Sequence, residues 1–366
     1  MTGSADCGSL SNAFQAGETD KKDFMKILHI QGNTGKSTLL VGERLQHLEA
    51  YISGRPAVII TDHHLLDLYG IDFPRCPVIA IGSGETIKTL DTVSHIYQQL
   101  VDQEADRSTV IVGIGGGIVC DIAGFVASTY MRGVDFGFVA STLLAQVDAS
   151  VGGKNGVNFC GFKNMVGVFN QPEFVICDMN LLHTLSMRDR LCGFAEIVKH
   201  AVIADVQMFD FLEKHWPQAL ALDSAVIEKL VYDSIVIKAG VVNRDETEKG
   251  ERRILNFGHT IGHAIEKNTG AFHGEAISIG MVAAACIARR CGLLSENDAA
   301  RIEALLTRLN LPTRLSGHRQ EILSALRMDK KREGDEILFV LPEGIGKAVI
   351  RPLSLSRIDQ LTEGLI

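Results

Sequence analysis

The sequence lacks any excess of positive charge. Its 366 residues carry a formal net charge of −8, which argues against a broad nucleic-acid-binding surface. It also lacks CxxC pairs. The eight cysteines, Cys7, Cys76, Cys120, Cys160, Cys177, Cys192, Cys286 and Cys291, mostly sit in apolar runs such as Val119-Cys120 and Ala285-Cys286-Ile287. They read as buried thiols of a reducing compartment. Apolar stretches such as 276–288 fall short of the roughly 18 residues that a membrane span needs. The N-terminal segment MTGSADCGSLSNAFQAGETDKK has no apolar signal core, and residues 1–23 are expected to form a poorly ordered tail. A cytoplasmic location is the resulting expectation. Internal repeats and low-complexity segments are absent as well.

What is present has the composition of an ordinary globular enzyme, 46% hydrophobic and 22% charged with 36 glycines, and a length that suggests two domains. The first half alternates β-rich runs at 24–30, 37–41, 56–61, 77–81, 109–113, 136–140 and 174–178 with helical patterns at 86–102 and 118–129. Such alternation predicts a mostly parallel sheet covered by helices. After about residue 185 the pattern becomes helical. Ser186 caps a helix to about 203, and further helices are expected at 206–221, 224–243, 254–268, 275–291, 295–308 and 318–328. Short strands are expected at 336–341 and 347–350. The expected division is an α/β nucleotide domain over 24–185 and a helical domain over 186–366.

Two motifs mislead. Gly32-Asn33-Thr34-Gly35-Lys36-Ser37-Thr38 ends like a phosphate-binding P-loop, but only two residues separate its glycines where four are needed to wrap a phosphate. A hairpin turn between 24–30 and 37–41 fits the β-branched residues that follow. His259-Thr260-Ile261-Gly262-His263 spaces two histidines as metalloproteases do, yet Thr260 stands where the general-base glutamate would be. A metal site survives that test and a protease does not.

Gly113-Ile114-Gly115-Gly116-Gly117 follows one strand and opens a helix, where glycine lets a backbone approach a pyrophosphate. The full dinucleotide fingerprint fails at Ile118. Asp62 ends a strand, where an acid can accept hydrogen bonds from ribose. Glu85 lies in a second strand-to-helix loop, 82–88. Taken singly, each acid is more often just a helix-flanking residue. The segment 148–164, DASVGGKNGVNFCGFKN, mixes lysines, amides and glycines. It suits an anionic, hydroxyl-rich ligand or simply a solvated loop. Glu196 and Lys199 share a helix face among apolar neighbours, so the carboxylate needs a strong partner. Asn256, His259 and His263 form a polar stripe on the expected helix 254–268, with His273 just ahead of the next helix. Two histidines and a glutamate make a catalytic zinc set with a position open for substrate.

Together GIGGGIVCDIAGFVASTYMRG, LLAQVDASVGGKNGVN, KNMVGVFNQP, GFAEIVKHAVI, DETEKGERRILNFGHTIGHAIE and HGEAISIGM resemble the 3-dehydroquinate synthase family over about residues 56–345. The resemblance implies a Rossmann-like α/β domain followed by a mainly α-helical metal and substrate domain, usually in a homodimer. It implies a carbon–oxygen lyase that cyclises 3-deoxy-D-arabino-heptulosonate 7-phosphate with release of phosphate. A ring hydroxyl is transiently oxidised with NAD, and an aldol step closes the ring. By the same resemblance Glu196, His259 and His273 would hold zinc, or cobalt in its place. Asp148, Lys154, Lys199, Glu248, Asn256 and His263 would form the catalytic set. Lys238 and Arg252 would take the carboxylate. Lys154, Asn164, Asn256, His263, one of Lys330 and Lys331, and Arg132 from a partner subunit would surround the phosphate. Lys163 would serve both substrate and cofactor. Asp62, His64, Glu85, Lys88, Gly115, Gly116, Gly117, Asp121, Ser141, Thr142, Asp148 and Thr184 match cofactor positions.

Val139-Ala140-Ser141-Thr142 departs from the family's usual Pro-Thr-Thr, and His64 stands where asparagine is common. Asn155 follows the loop lysine in place of threonine, and Phe159-Cys160-Gly161-Phe162 departs from a His-Pro-containing loop. The alternatives are another sugar-phosphate cyclase, such as aminodehydroquinate synthase, or an NAD- and metal-dependent alcohol dehydrogenase.

Overall fold

The computed structural model describes residues 25–315, 318–327, 332–333 and 336–363. The tail 1–23 and both Lys330 and Lys331 lie outside the described residues. Strands β1 (Lys26–Gln31), β2 (Lys36–Val41), β3 (Ala57–Asp62), β4 (Val78–Ile81), β5 (Val110–Gly115), β6 (Phe136–Ala140), β7 (Lys154–Phe159), β8 (Phe162–Phe169) and β9 (Phe174–Cys177) belong to the first half. Seven of them form one sheet in the order β1-β2-β9-β6-β5-β3-β4, parallel except for the β1–β2 hairpin. The seven expected strands are these seven. β5 and β6 are buried along their whole length, as a parallel sheet covered on both faces requires. Between β1 and β2 the chain turns at 32–35, with Gln31 opposite Lys36, so the P-loop lookalike is a hairpin turn.

Helices α1 (Leu48–Ile52), α2 (His63–Tyr69), α3 (Leu90–Asp102) and α4 (Gly117–Thr129) accompany the sheet. α3 starts later than expected, because Thr89 Oγ1 accepts from Thr92 N and sets the cap there. Glu85–Ile87 form a separate 3-10 turn. The segment 148–164 is not a loop. A π-helical turn at Ala145–Ala149 leads into an antiparallel β7–β8 hairpin whose Phe159, Phe162, Met165 and Phe169 are exposed.

The second half is built from α5 (Met187–Ala204), α6 (Val206–Leu220), α7 (Ser224–Arg244), α8 (His259–Thr269), α9 (His273–Arg290), α10 (Glu296–Arg308), α11 (Arg319–Arg327) and α12 (Leu355–Leu361). The antiparallel strands β10 (Arg332–Glu333), β11 (Glu336–Gly344) and β12 (Lys347–Ser354) complete it. Ser186 caps α5 by accepting from Asp189 N at 3.2 Å. α5 is buried from Cys192 to Ile203 and packs on α9, α7 and β12. The expected helix 254–268 begins only at His259. Gly258 takes a left-handed φ of 78°, and its Cα faces the backbone of α9 so closely that a Cβ would meet Met281 and the Ile277 carbonyl. Asn256 therefore sits in a preceding 3-10 turn, Glu251–Asn256, and not on the histidine helix. Among the described residues no helix is long and apolar enough to cross a membrane.

Candidate active site

A cleft of about 2080 Å³ runs from the carboxyl ends of β3 and β5 to α8 and α9. The strand order reverses between β3 and β5, which opens a crevice above the sheet where ligands of such folds bind. Most of the residues marked in the sequence line this one cleft.

At its deep end Glu196 on α5 meets His259 on α8 and His273 on α9. Their ligand atoms lie within 4.8 Å of one another. His259 Nε2 is 3.6 Å and His273 Nε2 is 3.3 Å from Glu196 Oε1. His259 Nδ1 faces the Phe257 carbonyl at 3.0 Å. A carbonyl can only accept, so the proton sits on Nδ1 and Nε2 presents its lone pair to the centre. Burial, reinforced by the nearby Lys199 ammonium, holds His259 neutral. Burial opposes charge on His273 too, but Glu196 and Glu266 outweigh it and raise its pKa to about 9. Glu196, fully buried, is nevertheless held well below the usual carboxylate range by Lys199 and the charged His273. A carboxylate that stays ionised inside the protein, beside one neutral imidazole and one whose proton a metal would displace, fits a divalent cation. His263, the other histidine of the stripe, stands 5.2 Å ring to ring from His259 and lines the cleft instead. Asp148, Glu196 and His200 also come together, but the Lys199 and Lys238 ammonium groups on Asp148 oppose a second dication there.

At the other end Gly116 and Gly117 open α4 below the crevice. A Cβ on Gly117 would meet Ala149, and one on Gly116 would meet Thr142, so the cradle admits a backbone-hugging group and no side chain. Ser141 N donates to the Gly115 carbonyl, which fixes the neighbouring loop. Asp62 caps α2 through Leu65 N at 2.9 Å, and His64 lies exposed on that helix. Lys88 is buried against Asp121 and donates to Asn164 Oδ1 at 2.6 Å. Burial raises the Asp121 pKa against the pull of that lysine. Asn158 joins Glu85 at 2.8 Å, tying the β7–β8 hairpin to the crevice. Thr184 Oγ1 lies 2.9 Å from the Tyr69 hydroxyl at the rim.

Cations and amides fill the middle. Lys238 Nζ donates to Asp148 Oδ1 at 2.6 Å and to the Asp148 carbonyl at 2.5 Å. Burial pushes Lys238 down to about 8. Burial also works against the Asp148 carboxylate, but Lys199 and Lys238 prevail and keep it ionised. Arg252, only 2% exposed, donates Nη2 to the Gly152 carbonyl at 2.9 Å and Nη1 to the Glu246 carbonyl. Glu248 holds Lys154 through one oxygen and accepts from Asn256 Nδ2 at 2.6 Å through the other. Arg132 is exposed, follows Met131 in a left-handed bend, and lies outside this chain's own cleft.

Three residues of this region escaped the sequence reading. Glu266 contacts both Lys163 and His273; it follows His259 by seven positions, so the helical stripe already carried the signal. Glu246 is buried beneath the β1–β2 turn. His200 is fully buried with neither ring nitrogen hydrogen-bonded among the described residues, and burial pushes it down to about 3. Its neighbours gave no sign of either role.

Residues 78–191 match the family model for the 3-dehydroquinate synthase N-terminal region, and residues 193–332 match that for the 3-dehydroquinate synthase C-terminal region. The 3-dehydroquinate synthase of Desulforamulus reducens is 40% identical over 339 residues, covering 87% of this chain and 94% of the relative. A solved 2-deoxy-scyllo-inosose synthase, complexed with carbaglucose-6-phosphate, NAD+ and Co2+, superposes with a TM-score of 0.82 at 29% identity. That match covers 93% of this chain and 100% of the other. The 2-epi-5-epi-valiolone synthase of Streptomyces hygroscopicus, with NAD+ and Zn2+ bound, gives 0.82 at 26% identity, covering 89% and 96%. With its two halves matched in order and its relatives spanned almost end to end, the chain belongs to the 3-dehydroquinate synthase family.

Proposed function

We infer that the chain is a 3-dehydroquinate synthase, a carbon–oxygen lyase that converts 3-deoxy-D-arabino-heptulosonate 7-phosphate to 3-dehydroquinate and phosphate. The observation that carries this reading is one cleft with a His-His-Glu centre at one end, a glycine cradle at the other, and buried cations between them. When bound, NAD takes up and returns a hydride, and a divalent metal such as zinc polarises the hydroxyl that is oxidised.

The chain's own residues supply the rest. Glu196, His259 and His273 hold the metal. Lys199, buried beside Glu196, balances that carboxylate. Asp148 stays ionised between Lys199 and Lys238, which suits it to orienting the ammonium groups and the cofactor's neighbourhood rather than to storing a proton. Lys238 and Arg252 receive the substrate carboxylate, the latter through its planar fork. Lys154, Asn164, Asn256 and His263 surround the phosphate, with Glu248 orienting Lys154 and Asn256. One of Lys330 and Lys331 joins them on the family resemblance. Lys163, Lys88, Glu85, Asp121, Asp62, His64, Ser141, Thr142 and Thr184 with Gly115 to Gly117 form the NAD site. The oligomer is a homodimer in which Arg132 reaches the partner's phosphate site; its exposed bend and the exposed Met131 support this. The nucleotide-binding half ends near residue 185, and the location is the cytoplasm.

The test is incubation with the heptulosonate phosphate and NAD. Phosphate should be released while no NADH accumulates. Stoichiometric NADH without phosphate would mark a dehydrogenase, and turnover only with a substrate lacking the carboxylate would mark another cyclase.

A further inference from the structure

The turn that resembles a phosphate loop does bind an anion, and the anion belongs to this chain. Glu246, 6% exposed, reaches across from the segment after α7. Its Oε2 accepts from Asn33 N at 2.6 Å and from Thr34 N at 3.3 Å. Its Oε1 accepts from Thr34 Oγ1 at 2.5 Å and from Gln171 Nε2 at 2.9 Å. A Cβ on Gly32 would run into this carboxylate, so the turn is shaped to it. Four donors on a buried carboxylate are far more than a stray surface contact supplies.

The same residue is one of the two anchors of Arg252. The Glu246 backbone carbonyl accepts from Arg252 Nη1, and the Gly152 carbonyl accepts from Nη2. Gln171 connects the anchors, since it holds the Glu246 carboxylate and packs against Gly153, where a Cβ would meet its Nε2 at 2.8 Å. The guanidinium is thus aimed by two carbonyls, and the hairpin turn of the first half fixes where one of them stands. We propose that Glu246, gripped by the turn 32–35, is a positioning residue for Arg252, and that this turn sets the affinity for the substrate carboxylate. The inference rests on the assignment of Arg252 to that carboxylate.

The alternative is a latch that merely holds the two halves together. Kinetics on the full-length, NAD- and metal-loaded enzyme separate the two. Arg252→Lys and Glu246→Gln should each raise KM for the heptulosonate phosphate by about tenfold, and Thr34→Val by about threefold, the scale of one charge-assisted hydrogen bond lost or weakened. NAD affinity and metal content should stay at the parent values in all three. Glu246→Gln added to Arg252→Lys should cost less than the product of the separate effects, because both act through one group. If Arg252→Lys raises KM while Thr34→Val and Glu246→Gln lower only the melting temperature, the turn is a latch and the inference falls. If Arg252→Lys leaves KM unchanged, the assignment of Arg252 falls and takes the inference with it. Should Glu246→Gln fail to fold, Thr34→Val removes one donor and decides the matter alone.

Discussion

Lys163 Nζ lies 2.6 Å from Glu266 Oε1, joining the β7–β8 hairpin to the histidine helix across 103 positions of sequence. The other oxygen of Glu266 lies 3.7 Å from His273 Nδ1. One carboxylate thereby orients a proposed metal ligand, His273, and a cleft lysine together. Partners of this kind tune metal affinity by about 10–100-fold. Glu266→Gln should therefore weaken metal binding by about tenfold or more, measured by competition with a chromogenic chelator. Parent affinity in that variant would remove Glu266 from the metal site.

Metal content should track the His-His-Glu centre directly. His259→Ala is expected to drop from about one divalent ion per subunit to nearly none by elemental analysis. Far-ultraviolet dichroism should be retained. A full metal complement would mean that the ion sits elsewhere.

The pH dependence of substrate binding follows from Lys238. Burial lowers it from an ordinary 10.5 to about 8. Below that pH the ammonium is charged and attracts an anion, so KM should rise as pH climbs through about 8, and Lys238→Met should flatten the profile. Stability runs the other way. Between about 8 and 10.5 the unfolded chain binds more protons at this site than the folded one, so its contribution to stability grows with pH and is lost as pH falls to about 8. A KM that stays flat across this range would exclude Lys238 from the anion site.

Lys36 offers the opposite kind of check. It is exposed and paired with Gln31 across the hairpin. Lys36→Ala should change stability by no more than about 0.5 kcal/mol, with turnover near that of the parent. Lost turnover in a folded protein would revive a triphosphate-binding role.

The central strands of the main sheet were legible because a parallel sheet buried on both faces writes itself as short β-branched runs, and the edge hairpin β1–β2 because a Gly-rich turn separates two such runs. The cap at Ser186 declared α5 in the same way, while the Asp223 cap of α7 went unread. The β7–β8 hairpin was not legible: its exposed Phe159, Phe162, Met165 and Phe169 obey no alternation, and its lysines and amides look like a loop. The start of α8 was missed because Gly258 reads as one weak helix former, while its left-handed φ depends on the approach of α9. The chemistry of Glu196, Lys199 and His259 was visible as polar residues on apolar helices. Glu246 was hidden for the reason that makes it interesting, namely that its partners Asn33 and Thr34 lie more than 200 residues away.

The buried pair of Glu196 and Lys199 has an evolutionary consequence. Removing one partner of a buried ion pair costs about 3–5 kcal/mol, out of the roughly 5–15 kcal/mol that holds a typical domain folded. Asp148 shares its charge with the same lysine and with Lys238, so its loss would strand Lys238 and leave Lys199 to Glu196 alone. A single substitution at these positions therefore consumes a large share of the stability that holds the fold. The accessible routes to a new activity pass through compensated pairs, or through rim positions such as the exposed His64.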